Sequence, residues 1–563
     1  MNYFVTVKSQ PIEQQPNYLE PLLKPFLNPM ALSYLAILIV LLILKSSRSN
    51  ESVLAKARFA TAGEIRSGER RGLKQIAKGL PNKAALKLEN IVLSDIQPAI
   101  ATVGKSGCGK TASVCDYAIK NGIDQGWTNF VFDVKGEFIQ KHAAYALSRG
   151  YDVYIYAPGF AYSDGLNFLK FMKDESDAKT AEEIAKVLEA NFGKPGERKD
   201  GFFSPQGVAL LRLVFMMAKA SPFKDLVSAW KFLSLPDLAN RLKAARKYDC
   251  FESLGFSVWI KEAASALRSM AGSEQTVEGI VGTAMTNFQR MVDPSIVPCL
   301  INHTIPLDLT GKQIVFFQLD EDAKSATAPL VAAAIHLLLT RNLNAKVKRK
   351  KPLGLFLDEF DSIALPDVKD YITKMRSYGL AALLSYQSDS QVVHRYTRTY
   401  ADSILSSCGI KIYFNTGHPE TAQKLSSSLG NKQVKFKTES RTYGGKSTRN
   451  VNEHIQTVPL ITATEINEQQ QGEAVIAYAP GFKYRPYKIK FKLNPKNDTL
   501  WEEKCPEIWF TEIEPYRKRN IETMTGDMNI ALIDREVISE AMIPSEKEQE
   551  IMHNCKILET ATN

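Results

Sequence analysis

The segment "GKSGCGKT", residues 104–111, constrains the fold of this 563-residue chain more than any other feature. A glycine, four further residues and then Gly-Lys-Thr form the spacing of a phosphate-binding loop. The apolar run "AIATV" (99–103) precedes the loop, and a helical pattern follows it to about residue 121. When such a loop joins a strand to a helix, the backbone N–H groups of the loop and of the helix N-terminus point at phosphate oxygens. The segment therefore predicts a nucleotide-binding α/β fold.

Every residue of this loop is a candidate nucleotide contact. Lys110 is expected to reach the β- and γ-phosphates, and the Thr111 hydroxyl is expected to bind Mg²⁺. The predicted nucleotide-binding residues are Gly104, Lys105, Ser106, Gly107, Cys108, Gly109, Lys110 and Thr111. ATP and Mg²⁺ are therefore the predicted cofactors.

The segment "LGLFLDEFD" (353–361) predicts a buried strand that ends in two acidic residues. Asp358 would join Thr111 in the Mg²⁺ shell, and Glu359 would polarise the attacking water. The alternative is an acidic helix cap that follows a strand. The Asp-Glu pair favours an ATPase that hydrolyses ATP with water over a kinase or a GTPase.

Two further polar residues are candidates for catalysis. Gln387 lies at the carboxyl end of the predicted strand "LAALLSYQS" (380–388), where it could sense the γ-phosphate. Arg376, in "RSYG" before that strand, could stabilise transition-state charge in the site of a neighbouring subunit. The alternatives are a strand-end cap for Gln387 and a surface helix residue for Arg376.

A third cluster of charges follows the strand in "NFVFDVKGEF" (129–138), which ends at Asp133. Ligands of open α/β sheets bind beyond the carboxyl ends of the strands. Asp133, Lys135 and Glu137 are therefore predicted to face the same crevice as the phosphate loop. The alternative is a turn that merely carries charged side chains.

The order of strand and helix patterns divides the chain into segments. Further strands are predicted at 152–158, 313–319 and 411–417 and a hairpin at 473–492, whereas the polar stretch 431–458 predicts a loop. Between about residues 177 and 300 the pattern is helical throughout, which predicts an all-α insertion. The predicted segments are a leader (1–25), a transmembrane helix (26–45), a basic connector (46–95), the nucleotide-binding domain in two parts (96–176 and 301–492), the all-α insertion (177–300) and a charged C-terminal tail (493–563). The tail is expected to be mobile.

The run from residue 26 to 44 is apolar and long enough to cross a bilayer, at roughly 28 Å. Residues 45–87 hold eleven Lys or Arg against three Glu, whereas residues 1–28 hold two of each sign. The positive-inside rule then predicts a single-pass protein of the bacterial inner membrane, with its N-terminus outside and its bulk in the cytoplasm. The alternatives are a buried core helix and a cleaved signal peptide, and the long polar leader before residue 26 argues against the latter.

Composition adds little. The net charge of +10 hints at an anionic partner such as nucleic acid or membrane lipid. The seven cysteines form no CxxC pair, which argues against a zinc site or a disulfide framework.

Taken in order, these pieces resemble one family, the type IV coupling proteins, which are the TraG/TraD-type conjugative DNA transfer ATPases. The resemblance covers about residues 54–492 and rests on "AKARFATAGEIRSG", "FVFDVKGEFIQKHAAYALSRGYDVYIYAP", "TVEGIVGTAMTNFQRMVDPSI", "FLDEFDSI" followed by "RSYGLAALLSYQSDSQV", "IKIYFNTGHPETAQKLSSSLG" and "VPLITATEI". It also includes "GLNFLKF", with Phe168 where the family usually has proline.

The resemblance implies a RecA-like P-loop fold and a membrane-anchored homo-hexameric ATPase. Such a protein passes single-stranded DNA, a relaxase–DNA complex or protein to type IV secretion channel components, and its inserted helices read the substrate. It implies metal and water roles for Asp358 and Glu359, a coupling role for Gln387 and a role in trans for Arg376.

Two features depart from the family pattern. Members commonly have two anchor helices, whereas one is predicted here, and Cys108 stands where small residues such as Ser are common. Oxidation or alkylation of Cys108 would be expected to block nucleotide binding.

Two other functions stay open at this point. One is a septum-type translocase of double-stranded DNA, which usually has several anchors and a winged helix. The other is a membrane receptor that binds ATP and recruits protein substrates without acting as a motor.

Overall fold

The computed structural model describes residues 57–192, 204–271, 274–442, 448–493 and 504–562. The chain divides into two compact units. One contains Ala57 and Gly430–Val458, and the other contains Arg58–Leu429 and Pro459–Asn563. The candidate site lies within the second, larger unit.

The larger unit is built on a nine-stranded sheet in the order β13-β12-β9-β3-β8-β7-β4-β6-β5. The strands among the described residues are β1 (Leu86–Lys87), β2 (Val92–Leu93), β3 (Ile100–Val103), β4 (Thr128–Asp133), β5 (Asp152–Tyr156), β6 (Gln313–Gln318), β7 (Leu353–Leu357), β8 (Leu380–Tyr386), β9 (Ile410–Tyr413), β10 (Asn431–Thr442), β11 (Thr448–Pro459), β12 (Glu473–Ala477) and β13 (Tyr487–Lys490). The strands from β9 to β5 in the sheet order are parallel. β12 pairs antiparallel with β9 and with β13. The predicted α/β sheet and the hairpin predicted at 473–492 are therefore confirmed.

Helices connect and cover the strands. They are α1 (Ala62–Lys78), α2 (Asp116–Asp124), α3 (Glu137–Ser148), α4 (Ala178–Phe192), α5 (Pro205–Ala220), α6 (Leu226–Leu233), α7 (Leu238–Lys247), α8 (Val258–Ala271), α9 (Glu274–Gln289), α10 (Val297–Ile301), α11 (Lys324–Asn342), α12 (Val368–Lys374), α13 (Asp389–Arg395), α14 (Arg398–Ser407), α15 (Pro419–Ser428), α16 (Ala463–Asn467), α17 (Cys505–Ile508), α18 (Glu514–Thr525), α19 (Met528–Met542) and α20 (Glu546–Thr562). A wide turn of the π type, Thr111–Cys115, joins the phosphate loop to α2.

The central strands are buried along their whole length. All residues of β3, β4, β7 and β8 are buried, as expected for parallel strands that are covered on both faces. Their side chains share one core with α2 and α3, to which Val131, Phe356 and Leu383 of the strands and Phe138 of α3 contribute. This burial fixes the carboxyl ends of the strands at one edge of the sheet, where the candidate site lies.

The segment between β5 and β6 is helical, as the periodicity predicts. It contains α4 to α10, and the structure shows no strand in 178–192, 204–271 or 274–301. α5 begins with a Ser204 cap and Pro205 in its first turn. The Ser204 side chain accepts a hydrogen bond from a backbone N–H of the first turn, and Pro205 has no N–H that needs a partner. α5 packs on α4, α6 and α8.

The C-terminal segment differs from the expected mobile tail. Helices α17 to α20 pack within the larger unit, α17 against α3, α19 against α6 and α20 against α7. Cys505 and Trp509 are each 2% exposed and belong to the main core. The expectation of mobility is therefore wrong for residues 504–562.

The stretch 431–458 also differs from expectation, since it forms β10 and β11 as a two-stranded sheet rather than a loop. Val, Phe and Thr recur between polar residues in β10, which suits a strand. The predicted leader and membrane helix, residues 1–45, lie outside the described residues. Among the helices that are described, none is both long and apolar enough to cross a membrane.

Candidate nucleotide-binding site

The phosphate loop follows β3 and curls around the start of α2. Gly107 and Gly109 have φ values of 74° and 100°, which residues with side chains rarely adopt. A Cβ on Gly104 would lie 2.7 Å from the Cβ of Phe414. The sequence can therefore form this loop only with glycine at these positions.

Lys110 lies inside the loop and is 7% exposed. Its ammonium group donates to the carbonyl of Gly104 and, at 3.3 Å, to that of Lys105. The side chain thus occupies the concave side of the loop, where phosphate oxygens would be bound.

The predicted residues surround one cavity of about 230 Å³. Its lining includes loop residues 105–111, Asp133, Lys135, Glu137, Asp358, Glu359 and Gln387. Because parallel strands end at one edge of the sheet, β4, β7 and β8 deliver these side chains to the same place. The structure thereby brings together all the predicted site residues except two: Gly104, whose carbonyl accepts a hydrogen bond from Lys110, and Arg376.

Arg376 lies elsewhere. It is exposed on the turn Met375–Tyr378, which precedes β8, whereas Gln387 follows the other end of that strand. Seven strand residues separate the two ends, roughly 20 Å at 3.3 Å per residue. Arg376 therefore does not reach the cavity of its own chain.

The acidic side chains of the cavity repel one another. Burial raises the pKa of Asp358, an effect that the nearby Lys110 opposes. Burial and the Asp358 carboxylate both raise the pKa of Glu359. Such a concentration of negative charge fits a site that binds a cation.

Asp133 has a different role in the geometry. Its carboxylate accepts hydrogen bonds from the backbone N–H groups of Gly136, Phe138 and Ile139, at 2.9, 2.7 and 3.1 Å. It therefore fixes the turn that presents Lys135 and the first residue of α3. Burial, with a contribution from Asp358, raises the pKa of Asp133 to about 7, although these three donors favour its ionised form.

The donor set fits Mg²⁺ rather than a metal enclosed by protein. The described residues contain no cluster of three or more His, Cys, Asp or Glu able to hold a metal ion. Mg²⁺ usually takes one or two protein oxygens together with phosphate oxygens and water. The Thr111 hydroxyl and the Asp358 carboxylate, both at this cavity, supply such a pair.

Gln471 also lines the cavity, although no motif predicts it. The segment 467–472 lies on the phosphate loop, since the Gly472 N–H donates to the Cys108 carbonyl at 3.0 Å. Asn415 holds this segment through the carbonyls of Asn467 and Gln469, at 2.6 and 3.1 Å. The run of glutamines in "NEQQQG" is the only local signal, and it indicates no particular ligand.

A buried ion pair joins the two helices that flank the cavity. Asp116 on α2 contacts the Nε2 of His142 and the Nζ of Lys141 on α3, each at 3.0 Å. The pKa of Asp116 is lowered by both partners despite its burial. This contact holds the phosphate loop and the Lys135 turn in a fixed relation.

The structure argues against Cys108 as a reactive thiol. Cys108 is 4% exposed, and burial raises the pKa of its thiol. Of the seven cysteines, Cys555 is the exposed one. Both the thiolate fraction and access control thiol reactivity.

An aromatic disulfide reagent is therefore expected to modify one thiol per native chain within minutes. Replacing Cys555 with serine should remove that fast phase and leave ATP hydrolysis unchanged. Fast loss of activity in this variant would show that Cys108 is accessible.

Comparisons with known proteins identify the family. A family model described as type IV secretory system conjugative DNA transfer matches residues 23–490. The VirD4 type IV secretion system-coupling protein of Bartonella quintana is 26% identical over 226 residues, 39% of this chain and 35% of that protein. VirD4 of Bartonella henselae is 23% identical over 338 residues, 58% of this chain and 52% of that protein. The chain thus matches about a third and about half of the length of these relatives.

The fold has a solved counterpart. The plasmid coupling protein TrwB, in complex with the non-hydrolysable ATP analogue ADPNP, superposes with a TM-score of 0.59 at 16% identity. The superposition covers 79% of this chain and 95% of TrwB. Since the family model spans most of the chain and the phosphate loop, acidic strand and helical insertion lie within it, the chain belongs to the type IV secretion coupling proteins.

Proposed function

We propose that this coupling protein is an ATP-hydrolysing motor that delivers DNA or nucleoprotein to a type IV secretion channel. The observation that carries the proposal is the convergence of Lys110, Thr111, Asp358, Glu359 and Gln387 on one cavity. A receptor that only binds ATP would not need an acidic residue poised for water activation beside the metal-binding carboxylate.

In this proposal the loop binds the phosphates and Lys110 moves from the Gly104 carbonyl to the β- and γ-phosphate oxygens. Thr111 and Asp358 would hold Mg²⁺, which offsets the negative charge of the phosphates. Glu359 orients the attacking water and accepts its proton as the water oxygen bonds to the γ-phosphorus. The bond to the β–γ bridging oxygen breaks, and ADP and phosphate leave. Gln387 contacts the γ-phosphate.

The backbone of Glu359 supports this role. Its φ is 45°, a left-handed conformation that costs a non-glycine residue about 1 kcal/mol or more. Such strain is retained where the surrounding structure requires one orientation of the side chain. In this conformation Glu359 lines the cavity.

The rest of the nucleotide would extend past the loop. A polar recess next to the cavity is lined by Lys105, Gly107, Asn415, Gln469 and Gln471, among others. Its amides and carbonyls offer donors and acceptors to a ribose and a base. We place the nucleoside there.

The wider assembly is part of the same proposal. Residues 26–45 anchor the chain in the bacterial inner membrane, in contact with lipid, with the N-terminus outside. Copies form a homo-hexamer in which Arg376 acts on the neighbouring site. The helical insertion reads single-stranded DNA or a relaxase–DNA complex, and the net charge of +10 favours an anionic substrate.

The test is ATP hydrolysis by the full chain in lipid nanodiscs, with no DNA, with single-stranded DNA and with double-stranded DNA. Stimulation by single-stranded DNA, weakened at higher salt, is the expected result. Preferential stimulation by double-stranded DNA would favour a septum-type translocase. Nucleotide binding without turnover under all three conditions would favour the receptor.

A further inference from the structure

The C-terminal helices α17 to α20 lie beyond residues 23–490, the range that the family model matches. α17 continues through the turn Trp509–Ile513 into α18. α17 packs on α3, the helix that begins at Glu137 in the candidate site. A segment outside the matched range therefore contacts a helix of the candidate site.

The first contact is with the loop that follows β5. The ring of Tyr162 packs edge-on against the ring of Trp509, with centroids 5.4 Å apart and an interplanar angle of 88°. Arg517 on α18 donates to the carbonyl of Tyr162 at 3.2 Å and forms an ion pair with Asp164. The C-terminal helices thus hold both the side chain and the backbone of Tyr162.

Tyr162 also contacts the sheet, through its hydroxyl. Its hydroxyl donates to the Oε1 of Gln318 at 2.7 Å. Gln318 is the last residue of β6 and lies opposite Asp133, the last residue of β4. It is 5% exposed, and its amide is held on one side by the Tyr162 hydroxyl.

The amide of Gln318 lies against the turn that presents Lys135. A Cβ added to Gly136 would be 2.7 Å from the Nε2 of Gln318, which shows how closely the amide approaches the turn. The Gly136 N–H is one of the three donors to Asp133. The order of this turn therefore depends on contacts from both sides, Asp133 within and Gln318 above.

The other end of the C-terminal helices is fixed to the helical insertion. Arg535 on α19 forms a buried ion pair with Asp225, the cap of α6, and the two residues are 7% and 3% exposed. Arg241 on α7 donates to the carbonyl of Ile543 at 2.6 Å. Truncating one partner of such a buried pair leaves the other charge unpaired and is strongly unfavourable.

We propose that the C-terminal helices position the Lys135 turn of the nucleotide site, with Trp509 acting through Tyr162 and Gln318, and that Arg535 links this turn to the insertion. Tyr162, Gln318 and Trp509 are positioning residues and touch no nucleotide. The inference rests on the proposed nucleotide-binding role of the cavity. Coupling between two sites is reciprocal. If movement of the insertion changes nucleotide affinity by some factor, nucleotide binding changes the conformational equilibrium of the insertion by the same factor.

The main test uses the full chain with Tyr162→Phe, which removes the hydroxyl donor and keeps the ring on Trp509. Amide hydrogen exchange of peptides covering residues 134–140 reports directly on the N–H groups that bind Asp133. Loss of one hydrogen bond is expected to speed this exchange and to weaken binding of a fluorescent ADP analogue by about 3- to 10-fold. Trp509→Leu and Arg535→Met should shift both readouts in the same direction.

Two controls separate positioning from general loss of stability. Phe510→Ala changes the neighbour of Trp509, a side chain that is 54% exposed, and should leave both readouts unchanged. Gln318→Leu removes both the acceptor of Tyr162 and the amide beside Gly136, so it should shift both readouts at least as far as Tyr162→Phe, and adding Tyr162→Phe to it should lower affinity little further, because the hydroxyl then has no acceptor.

Failure of the positioning role can be told apart from failure of the proposed nucleotide site. If Tyr162→Phe and Trp509→Leu exchange at 134–140 like Phe510→Ala, the positioning role is overturned. If Arg535→Met alone behaves like the control, the link to the insertion is overturned. A wild-type chain that binds no ADP analogue would overturn the nucleotide site, while the exchange data would still decide the contact chain.

Discussion

Replacing Lys110 with alanine is expected to lower the rate of ATP hydrolysis by about 100- to 1000-fold, the range found when one preorganised charge-stabilising group is removed. Lys110 is buried inside the phosphate loop, with its ammonium group on the carbonyls of Gly104 and Lys105. No other cation occupies this position among the residues that line the cavity, since Lys105 is exposed and Lys135 lies on a separate turn. The loss should appear in nucleotide affinity as well as in rate.

The measurement is phosphate release by the full chain, paired with titration of the fluorescent ADP analogue. Lys74→Ala is the matched control, because it removes one positive charge from an exposed position on α1. Activity of Lys110→Ala within threefold of the control would show that this cavity does not hydrolyse ATP. Thermal unfolding of both variants separates loss of function from loss of fold.

The sequence predicts the centre of the site because the signals there are local. The phosphate loop, the Asp358-Glu359 pair and Gln387 each follow a short apolar strand, and parallel strands bring their carboxyl ends together. Once the order of strands and helices is established, these residues must converge. The same reasoning places Asp133 and Lys135 at the cavity.

Residues that tertiary contacts bring to the site cannot be predicted from strand ends in the sequence. Gln471 reaches the cavity because Gly472 bonds to the Cys108 carbonyl and Asn415 holds the preceding segment. Neither contact leaves a pattern in the sequence. Asp116 and His142 are similar, since an isolated histidine in a helix does not indicate its partner.

The packing of the C-terminal helices is not predicted from the sequence for a different reason. In α19 the face toward α6 contains the polar residues Arg535 and Ser539, whereas Ile530, Ile533 and Val537 are exposed. Sequence-based prediction assumes that apolar residues point inward. A helix held by a buried ion pair reverses this pattern, so its periodicity suggests a polar tail.

Replacing Glu359 with glutamine is expected to separate binding from hydrolysis. Glutamine has the same shape and should tolerate the left-handed backbone about as well, but it cannot accept a proton from water. General base catalysis contributes about 100- to 10,000-fold, so single-turnover hydrolysis should fall by that factor while affinity for the ADP analogue stays within about threefold.

Affinity should even rise slightly, because the substitution removes one of the mutually repelling carboxylates around the phosphates. Glu420→Gln, at an exposed position on α15, is the control for the loss of one negative charge. If Glu359→Gln retains a third or more of the wild-type rate, another group activates the water. If it loses affinity together with rate, as Lys110→Ala should, Glu359 shapes the site rather than accepting the proton. The contrast between the two variants therefore tests the assignment of roles within a single cavity.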